Sequence, residues 1–389
     1  SSGNATIKDK AGALQLAASS VGGALIATAT AGNITQTGAL DIEGVTTLVT
    51  SGPGADIDLA ANGTGNAFTG KLLITTTETS NANDAYATIH GGTTDLKIGL
   101  STIEGNLTLL SGGEITDEGI ATVEGTLTAT TNQLHKIITL NQLAVDGAFT
   151  LAPNGTGAVT IVNAVNLNLA ASTMGGTFSG TATTGDISDS GNLAITGAAT
   201  FITAQAAQDI ILDQANAFTS HVTMKAGTGG SLAFNDITFV DSTDVKLHSS
   251  AASAGDLFID AATNLAVGGD LSITATNGHI TQGAALAITG AATFITAATS
   301  KNIILDQNNV FTTTVTMKAG SSGSLAFNNI TFKDSDGVRL NSSAASNGDL
   351  FIDAATNLDV DGALIITATT GNITQGSELA VGTTSTFTT

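Results

Sequence analysis

The residues of this sequence best placed to do chemistry are acids. Asp334-Ser335-Asp336-Gly337 and, 93 residues earlier, Asp241-Ser242-Thr243-Asp244 each bring two carboxylates together at a turn, and Asp349 and Asp353 follow the later pair. Carboxylates on turns are ligands for hard cations, so Asp334, Asp336, Asp241 and Asp244 are the calcium candidates of the chain. Neither an EF-hand loop nor a Gly-Gly-x-Gly-x-Asp nonapeptide surrounds them. The simpler expectation is that each Asp caps its own turn, with structural calcium as the one cofactor left open.

Catalytic patterns are missing. Pectate-lyase-like β-helices, the enzymes this pattern has to be compared with, carry carboxylate clusters for calcium and an Arg or Lys base on one outer face. Here Arg339 is the only arginine, its counterpart in the earlier copy is Lys246, and Val338 and Leu340 hold it in strand phase, so it reads as a solvated outward cation. The histidines His90, His135, His221, His248 and His279 have no metal-ligand spacing. Between copies His248 becomes Asn341 and His279 becomes Asn372, as expected of polar corner residues. No Gly-x-Ser-x-Gly or phosphate loop occurs, and the expectation is a non-enzyme. Thr-x-Thr, the pattern of ice-binding faces, appears at Thr28/Thr30, Thr181/Thr183, Thr274/Thr276 and Thr367/Thr369, too sparsely for one motif per coil. Asn33, Asn62, Asn106 and Asn372 head Asn-x-Ser/Thr acceptors, which chance supplies in a chain this rich in Asn and Thr.

Charge narrows the partners. The 32 acidic and 11 basic residues leave a net charge of −21, a field that repels nucleic acid and anionic lipid. With no Cys, disulfides cannot staple the fold. No run of 18 apolar residues exists and Ser1-Ser2-Gly3-Asn4 does not open a signal peptide, so neither membrane insertion nor a targeting segment is read here.

What must position these residues is a repeat. Gly278-His279-Ile280-Thr281-Gln282 through Gly290 returns in related form at Gly32–Gly44, Gly113–Gly125, Gly185–Gly197 and Gly371–Gly382, and from Ala194 onward the sequence recurs 93 residues later, at Ala287. Modules of about 1–112, 113–184, 185–277, 278–370 and a partial 371–389 follow, within one continuous array over 1–389. Apolar-x-apolar triplets such as Leu14-Gln15-Leu16, Leu40-Asp41-Ile42 and Leu107-Thr108-Leu109 are short strands separated by Gly, Asn, Asp, Ser and Thr. Val245-Lys246-Leu247 becomes Val338-Arg339-Leu340 and Leu265-Ala266-Val267 becomes Leu358-Asp359-Val360, so triplet ends face a core and middles face water. The pattern predicts an all-β, right-handed parallel β-helix of about 17 coils of roughly 20–24 residues, about four coils per 93-residue module, with Asn ladders at corners, Phe stacks inside and essentially no helix.

Gly-x-Ile-Thr-Gln-x-Gly-x-Leu-x-Ile-x-Gly (Gly32–Gly44), Asn-x-Phe-Thr-x-x-Val (Asn216–Val222 and Asn309–Val315, with a looser form from Asn66) and Leu-x-Ile-Thr-Ala-Thr-x-Gly (Leu271–Gly278) resemble the β-strand repeats of filamentous-haemagglutinin-like proteins. The resemblance implies a parallel β-helix in a large bacterial adhesin, on the cell surface or secreted, often through a two-partner route. The Asn-Pro-Asn motif of that family's secretion domain is absent, and Ala152-Pro153-Asn154-Gly155 reads as a corner turn. The expected function is a non-enzymatic shaft or self-assembling filament. Its alternatives are a glycan- or receptor-binding outer face and a polysaccharide-active enzyme. The expected partners are further repeats of the same protein, copies stacked head to tail, or a host or matrix glycan. Leu379–Thr389 repeats Leu286–Thr296 without a polar closing sequence, which reads as a piece of a longer array or a subunit covered by its neighbours.

Overall fold

The computed structural model describes residues 3–79, 84–320 and 323–389. Ser1 and Ser2, part of the stretch read for a signal peptide, lie outside them. The chain is an all-β parallel β-solenoid of about 17 turns. Helix among the described residues is confined to a 3-10 turn at Gly63–Gly65. Two compact units divide it, Ser1–Thr184 and Gly185–Thr389, and the second begins at the glycine that opens a recurrence.

In the first unit Leu14, Ile34, Ile57, Ala87, Leu107, Leu127 and Phe149 stand in register on successive coils. All seven are buried. The triplet phase is as read: Leu14–Leu16 and Leu40–Ile42 bury their ends and expose their middle residue. Glycine recurs at the corners because backbone stacks on backbone there. Gly125 N–H donates to the Gly105 carbonyl at 3.0 Å, and a Cβ on Gly125 would sit 2.7 Å from that carbonyl oxygen.

In the second unit the stack Ile210, Ile237, Leu271, Ala292, Val315 and Leu350 shows coils of unequal length. Coils of 20–23 residues are the commonest, as between Leu271, Ala292 and Val315, while the 34 residues from Ile237 to Leu271 and 35 from Val315 to Leu350 carry added loops. Strand registers hold while corners absorb the extra chain. In these long coils Lys246 pairs with Asp256 and Arg339 with Asp349, so two short strands ten residues apart lie side by side.

The 93-residue module is therefore not a whole number of coils. Three register steps lead from Ile210 to Ala292, and Ile303, the copy of Ile210, lies on the strand after that, above Ile280 and Val245. Ala199, Ala292 and Ser385, equivalent in sequence, sit on three different stacks: with Val222 and Leu257, with Leu271 and Val315, and with Leu364 and Ile330. Three coils and one further face make up a module, in place of the expected four coils, because the long loop adds residues but no turn.

Phenylalanines do stack inside. Phe218 meets Phe201 edge-on at 6.1 Å and lies over Phe239 at 5.4 Å, and the next copy repeats this with Phe311 at 6.2 Å from Phe294 and 5.5 Å from Phe332. Offset-stacked and edge-to-face pairs at such distances add about 0.5–1.5 kcal/mol each beyond the burial of the rings.

Candidate functional site

The calcium candidates are spread over two kinds of position. Asp241 and Asp334 are buried at 2% and 3% exposure, whereas Asp244 and Asp336 are exposed. Asp241 Oδ1 accepts the N–H of Phe218 at 3.0 Å and of Ser242 at 2.7 Å, and its Oδ2 accepts the Thr243 hydroxyl at 3.0 Å. Asp334 repeats the first two contacts with Phe311 and Ser335 at 3.3 and 2.7 Å. Burial pushes both carboxyls above the usual range, and the backbone N–H donors pull them back down. Each buried Asp thus caps its own turn and ties it to the coil carrying Phe218 or Phe311. Asp244 Oδ1 accepts the His279 N–H of the next coil at 2.7 Å. Among the described residues no three His, Cys, Asp or Glu side chains gather to hold a metal ion.

The outward cation has a partner. Arg339 Nε donates to Asp349 Oδ1 at 2.6 Å, and Asp349 is 1% exposed, with Oδ2 accepting the N–H groups of Ala345 and Ser346 at 3.2 and 2.8 Å. The guanidinium holds the Asp349 carboxyl below its ordinary range. In the earlier copy Lys246 Nζ stands 3.9 Å from Asp256, with the same loop N–H groups, from Ala252 and Ser253, on the carboxylate. Arg339 is outward and exposed as expected, and it also neutralises a buried acid that fastens the loop 341–348. Asp353, the other acid of this stretch, lies 3.9 Å from Lys318.

The histidines take separate posts. His90 is buried, its Nδ1 accepting the Gly92 N–H at 3.0 Å, and burial lowers its pKa. His279 Nδ1 accepts the Asn302 N–H at 2.9 Å, a corner rung continued by Asn302 Oδ1 to Asn329 N–H at 3.0 Å and by Asn329 Oδ1 to Ala363 N–H at 2.8 Å. In the earlier copy the same rungs are Asp186, Asp209, Asp236 and Asp270, each accepting an N–H one coil on at 2.7–2.9 Å. The expected Asn ladder is thus a ladder of any side chain with a well-placed acceptor. His135 Nδ1 meets Thr156 Oγ1 at 2.7 Å, and His248 Nδ1 lies near Ser250. Pro153 and Asn154 form the expected corner, with the Asn154 carbonyl accepting the His135 N–H at 2.8 Å.

Sequence reasoning missed one constellation. The Gln of Ile-Thr-Gln and the Asn of Asn-x-Phe-Thr meet in the interior. Gln36 and Asn66 exchange two side-chain hydrogen bonds of 3.0 Å, and Asn66 Oδ1 also accepts the Leu40 N–H at 2.9 Å while Nδ2 donates to the His90 carbonyl at 2.8 Å. Gln282 and Asn309 repeat the pair, with Leu286 N–H on Asn309 Oδ1 at 3.0 Å. At the third position Asp189 replaces the glutamine: Asn216 Nδ2 donates to Asp189 Oδ2 at 2.7 Å and Asn216 Oδ1 accepts the Leu193 N–H at 2.8 Å. Asn66, Asn216 and Asn309 are at most 2% exposed. A buried amide with all its bonds made fixes a corner in one conformation, since any slip would orphan several polar groups. The signal was present in the sequence as two motifs, each recurring at its own spacing from the other.

Every candidate with a described partner is thus bound to a neighbouring coil or to its own turn. Known proteins bear on the chain at one point. Four stretches, residues 2–75, 82–154, 156–225 and 234–318, match a family described as repeats of unknown function (DUF5649). No curated protein and no solved structure matches it. The matched stretches cover more than three quarters of the chain, which belongs to the DUF5649 repeat family.

Proposed function

We propose that this chain is a non-enzymatic length of structural shaft in a filamentous-haemagglutinin-like protein, displayed on or released from a bacterial cell, with further repeats of the same kind as its partners. The observation that carries the reading is where the reactive side chains are spent: buried Asp241, Asp334 and Asp349, the Gln–Asn pairs and Arg339 all tie turns and coils together. A solenoid transmits load through such ties because each coil is held to the next by strand pairing and by corner side chains. The net charge of −21 suits a particle that stays dispersed in an aqueous exterior. Calcium is not part of this proposal, since the buried candidates already have donors on their oxygens.

Two measurements test it. Immunogold labelling and surface proteolysis of the source cells should place the chain outside the cell wall or membrane. Purified protein incubated with acidic and neutral polysaccharides, with and without calcium, should release no product. Intracellular labelling would end the surface-shaft reading, and turnover abolished by Arg339→Ala would replace it with an enzyme.

A further inference from the structure

The outward residues of the first unit form a row that the sequence did not reveal. Thr88, Thr108, Thr128 and Thr150 are register partners on four successive coils. They alternate with Ala87, Ile89, Leu107, Leu109, Leu127, Ala129, Phe149 and Leu151, all buried to within 1%, so the four hydroxyls point outward at the coil pitch of about 4.8 Å. Among the described residues none of the four hydroxyls has a hydrogen-bond partner, whereas corner threonines do: Thr50 donates to the Ala55 carbonyl and Thr76 to the Ala85 carbonyl, both at 2.9 Å. Within the Thr-x-Thr pairs, Thr30 and Thr276 behave like corner threonines, donating to the carbonyls of Asp9 and Asp241 at 3.0 and 3.3 Å.

Around the row the surface carries no charge over these four coils. One step before it lie Tyr86, Asn106, Thr126 and Ala148, and one step after it the buried His90, then Leu110, Thr130 and Ala152. Tyr86, the only tyrosine of the chain, is 43% exposed at the end of the patch. Asn106 Oδ1 accepts the Thr126 N–H at 2.8 Å, which fixes the amide. Acids border the patch instead of entering it. Asp58 pairs with Thr88 from the coil before, and Glu78, Glu104 and Asp146 lie close enough to Glu124 along one corner to act on its carboxyl.

We propose that this face binds a neutral, extended polysaccharide lying along the solenoid axis. Its chemistry fits such a chain. Sugar rings present alternating C–H and O–H edges, threonine offers a methyl and a free hydroxyl at each coil, and an extended linear glycan advances by about one coil per ring. Tyr86 supplies an apolar platform with a polar tip at one end. The acidic border repels anionic glycans, and it sets like charges against each other when two copies approach by this face. The binding face is an activity additional to the shaft and stands independently of where the shaft is displayed.

Affinity electrophoresis on native gels tests it, using gels cast with a β-1,4-glucan, a β-1,3-glucan or a galactomannan, and with alginate as the acidic comparison. At least one neutral polymer should retard the protein and alginate should not. The double variant Thr108→Val/Thr128→Val keeps the branched shape and removes two hydroxyls, and it should weaken retardation at least tenfold. Tyr86→Ala should weaken it as well, and Thr139→Val, on another face, should leave it unchanged. The proposal is overturned by no retardation in any neutral polymer, by retardation in alginate alone, or by equal retardation of the wild type and the double variant. Self-association abolished by the same substitutions, without glycan binding, would also overturn it and assign the face to a second copy.

Discussion

Asn216 and Asn309 occupy equivalent positions in two copies but lean on different partners, and that difference makes a sharp test of the interior clamp. Asn216→Ala removes the acceptor of the Leu193 N–H and the donor to Asp189, whereas Asn309→Ala removes the acceptor of the Leu286 N–H and the bonds to Gln282. Each buried group left without a partner costs roughly 1–3 kcal/mol, so both variants should lose about 2–6 kcal/mol at neutral pH. Their pH responses should part. Burial raises the Asp189 carboxyl above its ordinary 3.8 and the Asn216 hydrogen bond pulls it back, so losing Asn216 raises it further. A folded-state pKa above the unfolded one means that the folded state binds the extra proton. Stability lost at neutral pH then returns as the pH falls through the raised value toward the unfolded one. Asn216→Ala should recover about 1–3 kcal/mol, the Asp189 share, between pH 7 and pH 4. Asn309→Ala, whose partner does not titrate, should keep its deficit. Urea unfolding of both variants and the parent at the two pH values, at fixed ionic strength, measures the difference, and hydrogen exchange at the Leu193 amide localises it. Identical pH responses of the two variants, or an Asn216→Ala protein as stable as the parent, would refute the clamp.

Arg339→Ala should lower the melting temperature at neutral pH by leaving buried Asp349 without its cation. Because Asp349 titrates below its ordinary value, that deficit should vanish as the pH falls through its folded pKa, and Arg339→Lys should restore most of the loss, as Lys246 serves the earlier copy. Leu265, 1% exposed, begins a triplet whose middle residue Ala266 is half-buried and aligned with Asp359 of the other copy. Leu265→Asp should therefore cost several kcal/mol while Ala266→Asp stays within about 0.5 kcal/mol, and thermal melts that coincide would contradict the strand phase. Phe218→Ala and Phe311→Ala remove the middle ring of a stacked trio and should each cost about 3–5 kcal/mol by urea unfolding. A cost below 1 kcal/mol would show that the rings contribute no more than bulk.

Period-2 alternation was enough to determine the parallel solenoid, because a residue either enters a narrow core or faces water and the repeat copies display which positions tolerate charge. The same logic found Val338-Arg339-Leu340 in phase and placed Pro153 at a corner. Alternation says nothing about what an outward or corner side chain touches, and the sequence reading fell short where that matters. Arg339 was legible as outward, but its bond to Asp349 arises from a loop that returns a strand ten residues later beside its own start. The pairing of Gln282 with Asn309, the run of Thr88, Thr108, Thr128 and Thr150, and the turning of each module by one face all depend on how many residues each corner absorbs. Coil lengths of 19 to 35 residues are chosen by loops that carry little periodic signal, so residues far apart in the chain become vertical neighbours only when the coils are wound. The sequence by itself determined the direction of each strand residue, through burial of apolar side chains. Only the tertiary structure decided which outward and corner residues share a stack, because that register is fixed by backbone pairing between coils.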